Sequence, residues 1–424
     1  MLRRLPRPLL LTRLMVFLSV MGPGIVTASV DNDAGGITTY SLAGANFGYS
    51  LLWILIPIPL VLFVVQEMCA RMGVITGKGL GDLIRENYGV RVTFWVMMLL
   101  LLTDFGNTMA EFAGLAAGGE IFGIPRYLAV PLSALFIWLL VVKGSYRAVE
   151  RVFLAASLVY ATYVVSGFMA SPSWGEVFHS MSRPSFRLQA DYIMMAIALV
   201  GTTIAPWMQF YQQAATVEKG LSEDAYRYSV ADTLLGSIVT CVVASFVIIA
   251  CAATLFIGSI PVESAKDAAL ALKPLAGEYA SALFAIGLIN ASLFSASVLP
   301  LSTAYSVCEA LGFEAGVNKT WRQSPVFFGL YTLLIAVSAL IIMLPTVPLL
   351  EIMFLSQVAN GILLPIVLFF MIRLVNDRKL MGRYVNSLAF NIIAWATIAV
   401  LVCLVVALLV VQLASFVLPG WWGT

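Results

Sequence analysis

The chain has 424 residues, of which 61% are hydrophobic and only 11% charged, with a formal net charge of +2. A soluble domain carries roughly 25% charged residues, so the composition excludes a soluble globular protein and points to an all-α polytopic membrane protein. No long basic run offers nucleic acid a surface, and no phosphate-binding Gly-rich loop or zinc-like cluster occurs. No cofactor is expected.

A membrane span needs about 20 apolar residues. Eleven transmembrane helices are predicted, over 14–41, 50–72, 92–122, 127–143, 150–170, 190–215, 230–258, 279–308, 325–344, 350–373 and 386–416. Arg3, Arg4 and Arg7 ahead of an apolar run imitate a signal peptide. Gly22-Pro23-Gly24 interrupts that run and many spans follow, so the segment is expected to be retained.

The first span fails as a helix. Asp31, Asn32 and Asp33 fall where its middle should be, and Gly35-Gly36 follow at once. An Asp at the centre of a span costs about 2.5–3.5 kcal/mol on insertion scales, and glycine weakens a helix interior by about 1 kcal/mol relative to Ala. The stretch reads as an unwound segment lining a polar cavity, because irregular backbone at that depth is tolerated only there. The plainer alternative is a short re-entrant or interfacial kink.

In the third span Asp104, Thr108 and Glu111 are spaced i, i+4, i+7 and share one face. They read either as a polar path or as a paired helix contact. Glu67 and Arg71, spaced i, i+4 in the second span, read as an ion pair.

The sixth span carries Gly201-Thr202-Thr203-Ile204-Ala205-Pro206-Trp207-Met208-Gln209. Pro206 removes a backbone hydrogen bond; alone this would be an ordinary proline kink. The first span opens one set of five, however, and the sixth opens the next. Broken helices at matching places in two halves point to a transporter binding site. Five helices per half is odd, so the halves insert with opposite topology. The chain is therefore expected to be one transporter domain, 1–424, with inverted repeats at 14–170 and 190–373 and an additional helix at 386–416. Asn290 in the eighth span and Gln357 in the tenth either line the cavity or hydrogen-bond across helices.

The positive-inside rule orients the chain. With the N-terminus cytoplasmic, inner segments hold most of the 24 basic residues, including Arg3, Arg4, Arg7, Arg13, Lys143, Arg147, Arg151, Lys219 and Arg227. Only Arg126, Arg183, Arg187, Lys266 and Lys273 fall outside. The C-terminus, with Trp421-Trp422, is then expected at the outer interface of a plasma membrane. The five cysteines show no metal-ligand spacing and read as small buried hydrophobes. His179, the only histidine, lies in a polar stretch and reads as a surface residue.

These motifs together resemble the Nramp family of divalent-metal transporters over nearly the whole length. Gly22-Pro23-Gly24 stands where that family starts its first helix. Asp33-Ala34-Gly35-Gly36 falls on its Asp-Pro-Gly-Asn motif, and Val74-Ile75-Thr76-Gly77-Lys78 on its loop after helix 2. Ala205-Pro206-Trp207 falls on its Met-Pro-His motif. Ser356-Gln357-Val358 with Leu364-Pro365 matches helix 10, and Asp377-Arg378-Lys379-Leu380-Met381-Gly382 with Val385-Asn386-Ser387 is the most literal match. The resemblance implies a LeuT-like 5+5 inverted repeat with broken helices 1 and 6.

The departures carry chemistry. Asp33 keeps the family's metal-binding aspartate, but its asparagine is Gly36, its methionine Ala205, and its histidine Trp207. The second histidine of that half-helix aligns with Gln212, the family's acid in helix 3 with Thr108, and Asp31 adds a carboxylate. The pattern is similar to the Nramp-related magnesium transporters. A thioether favours softer metals, while carboxylate, carbonyl and water suit Mg²⁺ and Mn²⁺. Mg²⁺ dehydrates reluctantly and keeps several waters.

The resemblance therefore implies import of partly hydrated Mg²⁺, and of Mn²⁺, at the membrane midplane by alternating access. Asp33, Asp31, Gly36, Ala205 and Gln357 are the expected metal positions. Asn32, Thr202, Thr203, Trp207, Gln209 and Asn290 are expected around them, and Asp104, Thr108 and Glu111 are a possible polar path. With no histidine in any span, transport is expected to be uncoupled from protons. The partners are the metal ion and the bilayer, and a monomer is the simplest assembly. The rivals are a proton-coupled Mn²⁺/Fe²⁺ transporter with an atypical site, a membrane-embedded hydrolase, and a passive channel. A hydrolase would need a nucleophile–base pair that the spans lack.

Ligand softness yields one prediction. Gly36→Asn with Ala205→Met should favour Mn²⁺ or Cd²⁺ over Mg²⁺, measured as relative uptake into sealed vesicles. An unchanged preference in the folded double variant would place selectivity elsewhere.

Overall fold

The protein was analysed as a computed structural model that describes residues 23–143, 157–220, 226–317 and 319–417. The basic cluster Arg3 to Arg13, Gly22, Arg147, Arg151, Trp421-Trp422 and the starts of the first and fifth predicted spans lie outside the described residues. Every regular element among the described residues is helical, and nine helical stretches are long and apolar enough to cross a membrane.

The first predicted span is two helices, α1 (Pro23–Asp31) and α2 (Ala34–Phe47), interrupted at Asn32 and Asp33. Helix α3 (Ile58–Thr76) ends on Gly77 in the left-handed region, φ 63°. Helix α4 (Leu80–Ile121) spans 42 residues and turns at Gly89, φ 77°. Residues 80–88 fall between the second and third predicted spans, yet they form a helix. Leu80, Leu83 and Ile84 bury one face while the charged residues turn outward. α5 (Arg126–Lys143) and α6 (Ala161–Met169) follow. α7 (Trp174–Ser182) lies in what read as a plain connection, and His179 on it is exposed.

The sixth predicted span is also two helices, α8 (Ala190–Thr203) and α9 (Pro206–Glu218). Proline at the first position of a helix costs nothing, since that N–H has no intrahelical partner. Pro206 therefore begins a helix here instead of kinking one. α10 (Tyr226–Cys251) follows, then the single turns α11 (Ala265–Ala268) and α12 (Lys273–Ala276), and α13 (Ala280–Leu311). The chain closes with α14 (Pro325–Ile342), α15 (Leu349–Val375), the turn α16 (Arg378–Met381) and α17 (Leu388–Val417).

Burial separates core from rim. The apolar stretch of α8–α9 is 94% buried, against 17% for α17, whose side chains face outward as a lipid-contacting helix does. Two groups of helices pack within themselves: α1, α3, α9 and α10 in one, and α4, α5, α13 and α14 in the other, with α15 against α4 and α8. Glycine sets the closest crossings, since apolar burial cannot drive association in lipid and backbone approach must. A Cβ on Gly236 would sit 2.5 Å from the Gly24 carbonyl, and one on Gly201 2.3 Å from the Gln357 carbonyl.

A buried ion pair fixes one end of the bundle. Arg71 Nη2 meets Glu67 Oε2 at 3.0 Å, as the i, i+4 spacing predicts. Arg71 also donates to Asn386 Oδ1 at 2.6 Å and to the Tyr384 carbonyl at 2.9 Å, and lies over the Phe390 ring. Tyr226 of α10 donates to the other Glu67 oxygen. One guanidinium thus joins α3 to the connection between α15 and α17, and its carboxylate partner reaches α10. Removing one member of a buried pair strands the other and costs about 3–5 kcal/mol. Arg71→Ala should therefore lower the thermal midpoint in detergent markedly, whereas Lys379→Ala, on the exposed turn, should leave it unchanged.

Candidate metal-binding site

Two interrupted helices leave backbone groups without intrahelical partners, and in a membrane these must be satisfied by protein. At the first break the chain does this with carboxylates. Asp33 caps α2, its Oδ1 accepting from Gly36 N at 2.6 Å. Glu111 Oε2 accepts from Ala34 N at 3.4 Å. At the far end of α1, Asp232 of α10 accepts from Gly24 N at 2.8 Å.

The carbonyls of α1 are met in turn. Ala28 O accepts from Thr240 Oγ1 at 3.0 Å and from Asn32 Nδ2 at 3.2 Å, and Val30 O accepts from Ser295 Oγ at 3.2 Å. The Asp31 carbonyl faces a different set of atoms. The point where a Cβ on Gly36 would sit lies 2.7 Å from Asp31 O, 3.2 Å from Thr202 Oγ1 and 3.3 Å from Asp33 Oδ1. Oxygens from both breaks thus pack against the Gly36 backbone, which leaves no room for a side chain at this position.

Several neighbouring oxygens have no hydrogen-bond partner: both carboxylate oxygens of Asp31, Asn32 Oδ1, Thr202 Oγ1 and Glu111 Oε1. Buried polar atoms are normally paired, so a cluster of unpaired oxygens marks a place built for a cation or water. Asp31 is 2% exposed, Asp33 4% and Glu111 0%. These side chains are shut off from solvent. Among the described residues no three His, Cys, Asp or Glu side chains converge as metal ligands.

The other expected site residues divide. Ala205 borders the second break, but its carbonyl already accepts from Met208 N at 3.1 Å and from Gln209 Nε2 at 3.0 Å. Gln209 in turn accepts from Gln66 Nε2 at 3.2 Å, so it braces α9 against α3. Thr203 bonds back to Leu199 O and to Tyr40. Trp207 is buried beside Tyr211, with its carbonyl taken by Ser302. Gln357 lies against Gly35, its Nε2 standing 1.9 Å from where a Cβ there would be, and its Oε1 accepts from Asn360 at 2.8 Å. Asn290 is half-buried on α13 and shares no hydrogen bond with either break.

Asp104, Thr108 and Glu111 are all fully buried on one face of α4, but they do not form one chain of contacts. Glu111 and Asp33 lie within hydrogen-bonding reach of each other. Asp104 belongs to a second network. It accepts from Thr303 Oγ1 at 2.7 Å and from Asn107 at 3.3 Å. Asn107 and Asn360 exchange two amide hydrogen bonds of 3.0 Å, which leads on to Gln357. Thr108 bonds to the Asp104 carbonyl. The sequence reading missed Asn107, Asn360, Thr303 and Asp232. The i, i+3 spacings Asp104–Asn107 and Gln357–Asn360 were the available signal.

Helical membrane architecture with two breaks facing each other is that of a substrate transporter. Residues 24–411 match the natural resistance-associated macrophage protein-like (Nramp) family, and the chain belongs to it. It is a multi-pass membrane protein of a family whose members are transporters, not enzymes. The manganese transporter of Eremococcus coleocola is 22% identical, with 99% of this chain and 91% of that one covered, at a TM-score of 0.78. A nucleobase-cation-symport-1 family transporter in a closed conformation is 15% identical over 93% and 92%, TM-score 0.58. MhsT in complex with L-phenylalanine is 13% identical over 92% and 98%, TM-score 0.56. These structural likenesses are of fold.

The geometry changes one expectation. Any Cβ at Gly36, that of Gly36→Asn included, would stand 2.7 Å from the Asp31 carbonyl, so restoring the motif asparagine would strain the break before it could supply a ligand. Gly36→Ala is expected to force the break apart at a cost of about 1–3 kcal/mol and to weaken metal binding, read by thermal midpoint and calorimetry. Asp33→Asn keeps the helix cap and removes the charge. It should fold as well as the parent yet lose at least about tenfold in uptake, the minimum that disturbing a metal's surroundings brings. Full uptake by folded Asp33→Asn protein would remove Asp33 from the site.

Proposed function

We propose that this protein is a secondary transporter that imports divalent metal ions, Mg²⁺ and also Mn²⁺, by alternating access and without moving protons. The observation that carries the reading is the group of buried oxygens without hydrogen-bond partners beside Asp33, namely both Asp31 carboxylate oxygens, Asn32 Oδ1 and Thr202 Oγ1, contributed by both broken helices. All are hard oxygen donors. The breaks contribute no thioether or imidazole, since Ala205 and Trp207 stand at the positions that carry them in the resembling motif. Mg²⁺ takes oxygen ligands at about 2.1 Å and keeps several waters. A site with one or two carboxylates, a carbonyl and a hydroxyl suits such an ion.

The proposed frame has eleven spans in a 5+5 inverted repeat, 14–170 and 190–373, with 386–416 added. The N-terminus is cytoplasmic, the C-terminus is outside, and the membrane is the plasma membrane. Membrane potential supplies about 2.3 kcal/mol per charge per 100 mV, and a dication gains that twice on entering a negative interior.

One observation favours a second reading, a proton-coupled Mn²⁺/Fe²⁺ transporter. The Asp33 and Glu111 carboxyls lie within hydrogen-bonding reach, and two carboxyls in contact are a place where a proton can be held.

The test uses sealed vesicles containing the purified protein and a trapped pH-sensitive dye, with Mg²⁺, Mn²⁺, Ca²⁺ and Cd²⁺ offered in parallel. Saturable Mg²⁺ and Mn²⁺ uptake without internal acidification is expected. Uptake of Mn²⁺ but not Mg²⁺ would overturn the ion assignment. Acidification that persists under clamped potential and disappears in Glu111→Gln would establish the second reading.

A further inference from the structure

A polar cavity of about 590 Å³ opens where α15 ends, at the bend of α4 and beside the first turns of α17. Its size lies within the range of small-molecule sites. Arg373, Asp377, Asn376, Asn87, Tyr88 and Trp395 line it. It stands apart from the helix breaks and shares none of the residues named for the metal.

Three features define what would fit. The first is charge. Among the described residues Arg373 makes no ion pair, and it faces the same space as Asp377. Asp377 uses Oδ1 to cap α16, accepting from Lys379 N at 2.8 Å, which leaves its other oxygen for a ligand. A guanidinium and a carboxylate on one cavity match a ligand carrying both charges, not a simple anion.

The second feature is depth. Trp395 lies seven residues into α17 from Leu388, about 10 Å along the axis. Trp and Tyr collect at the headgroup level of a bilayer, and Trp395 and Tyr88 both stand at this mouth. The third is the adjoining surface. Phe369, packed edge-on against Trp395, is exposed, as are Ile366 and Ile392. An apolar outer face therefore runs directly into a charged pocket.

We propose that this cavity binds the headgroup of a zwitterionic aminophospholipid, its phosphate on Arg373, its primary ammonium on Asp377, and its chains along the exposed face beside Phe369. The bound headgroup touches the ion-pair hub through few steps. Asn376 exchanges hydrogen bonds with Asn391, Asn391 Oδ1 accepts from Asn386 at 2.9 Å, and Asn386 accepts from Arg71. The lipid would thus steady the connection on which α3 is fastened.

The experiment strips the full-length protein of lipid in detergent, adds phosphatidylethanolamine, phosphatidylcholine or phosphatidylglycerol, and counts retained lipid by native mass spectrometry. Preferential retention of phosphatidylethanolamine is expected. Arg373→Gln and Asp377→Asn should each weaken it about tenfold, the effect of losing one charge-assisted hydrogen bond. Both sites are on the surface, and Asn at 377 still caps α16. Asn87→Trp, which narrows the cavity without touching either charge, should weaken retention too. Equal retention of phosphatidylcholine, whose ammonium has no proton to donate, would overturn the proposal. So would equal retention of phosphatidylglycerol, which would mark a plain anion site. Soluble phosphoethanolamine competing as strongly as the lipid would assign the cavity to a free zwitterion instead.

Discussion

The structure depends on one constraint: a helix interrupted inside a bilayer must have its loose backbone groups bonded by protein, since no water reaches them. Acidic side chains meet that demand along the first broken helix. Asp232 takes the N–H of Gly24, Glu111 that of Ala34, and Asp33 that of Gly36. Charged groups that are costly in the membrane interior thereby offset a second cost, that of irregular backbone. Asp33 and Glu111 do this within reach of each other, so the support of the break and the chemistry of the site use the same atoms.

That sharing explains why the centre is narrow. The carbonyls of Ala28 and Val30 are bonded by side chains of α10 and α13, so the break has a fixed course. The Asp31 carbonyl, Asp33 and Thr202 then meet where Gly36 has no side chain. Some polar side chains nearby bond to one another. Gln209 is held by Gln66 and the Ala205 carbonyl, and Asp104 by Thr303 and Asn107. At the first break, by comparison, both Asp31 carboxylate oxygens and Asn32 Oδ1 lie close together without partners.

Much of this was legible in the residues. Asp31 to Gly36 announce the first break because two acids and two glycines have no place in a spanning helix. The second break was open to another reading, since a proline alone also kinks helices; only the two non-helical residues Ile204 and Ala205 distinguish the cases. The ion pair Glu67–Arg71 followed from spacing. The helix at 80–88 did not, because it lies between two apolar spans and is too short and too polar to read as a span of its own. The amide pair Asn107–Asn360 joins positions 253 residues apart, and nothing local in either segment names its partner. The crowding at Gly36 was hidden for a similar reason. A missing side chain looks like empty space until the carbonyl that occupies it is placed.

The glycine seam between α8 and α15 carries a consequence for motion. At Gly201 and Gly361 the two backbones touch, with no room for a Cβ on either. A seam without side chains has no rotamers to rearrange, so any movement of one helix would have to carry the other with it. Across the break, α9 is fastened to α3 by Gln209 and Gln66. One continuous stretch of sequence is therefore shared between two packed groups, with the non-helical Ile204-Ala205 between them. Thr202 belongs to one group and the Asp31 carbonyl to the other, so a separation of the groups would draw these oxygens apart.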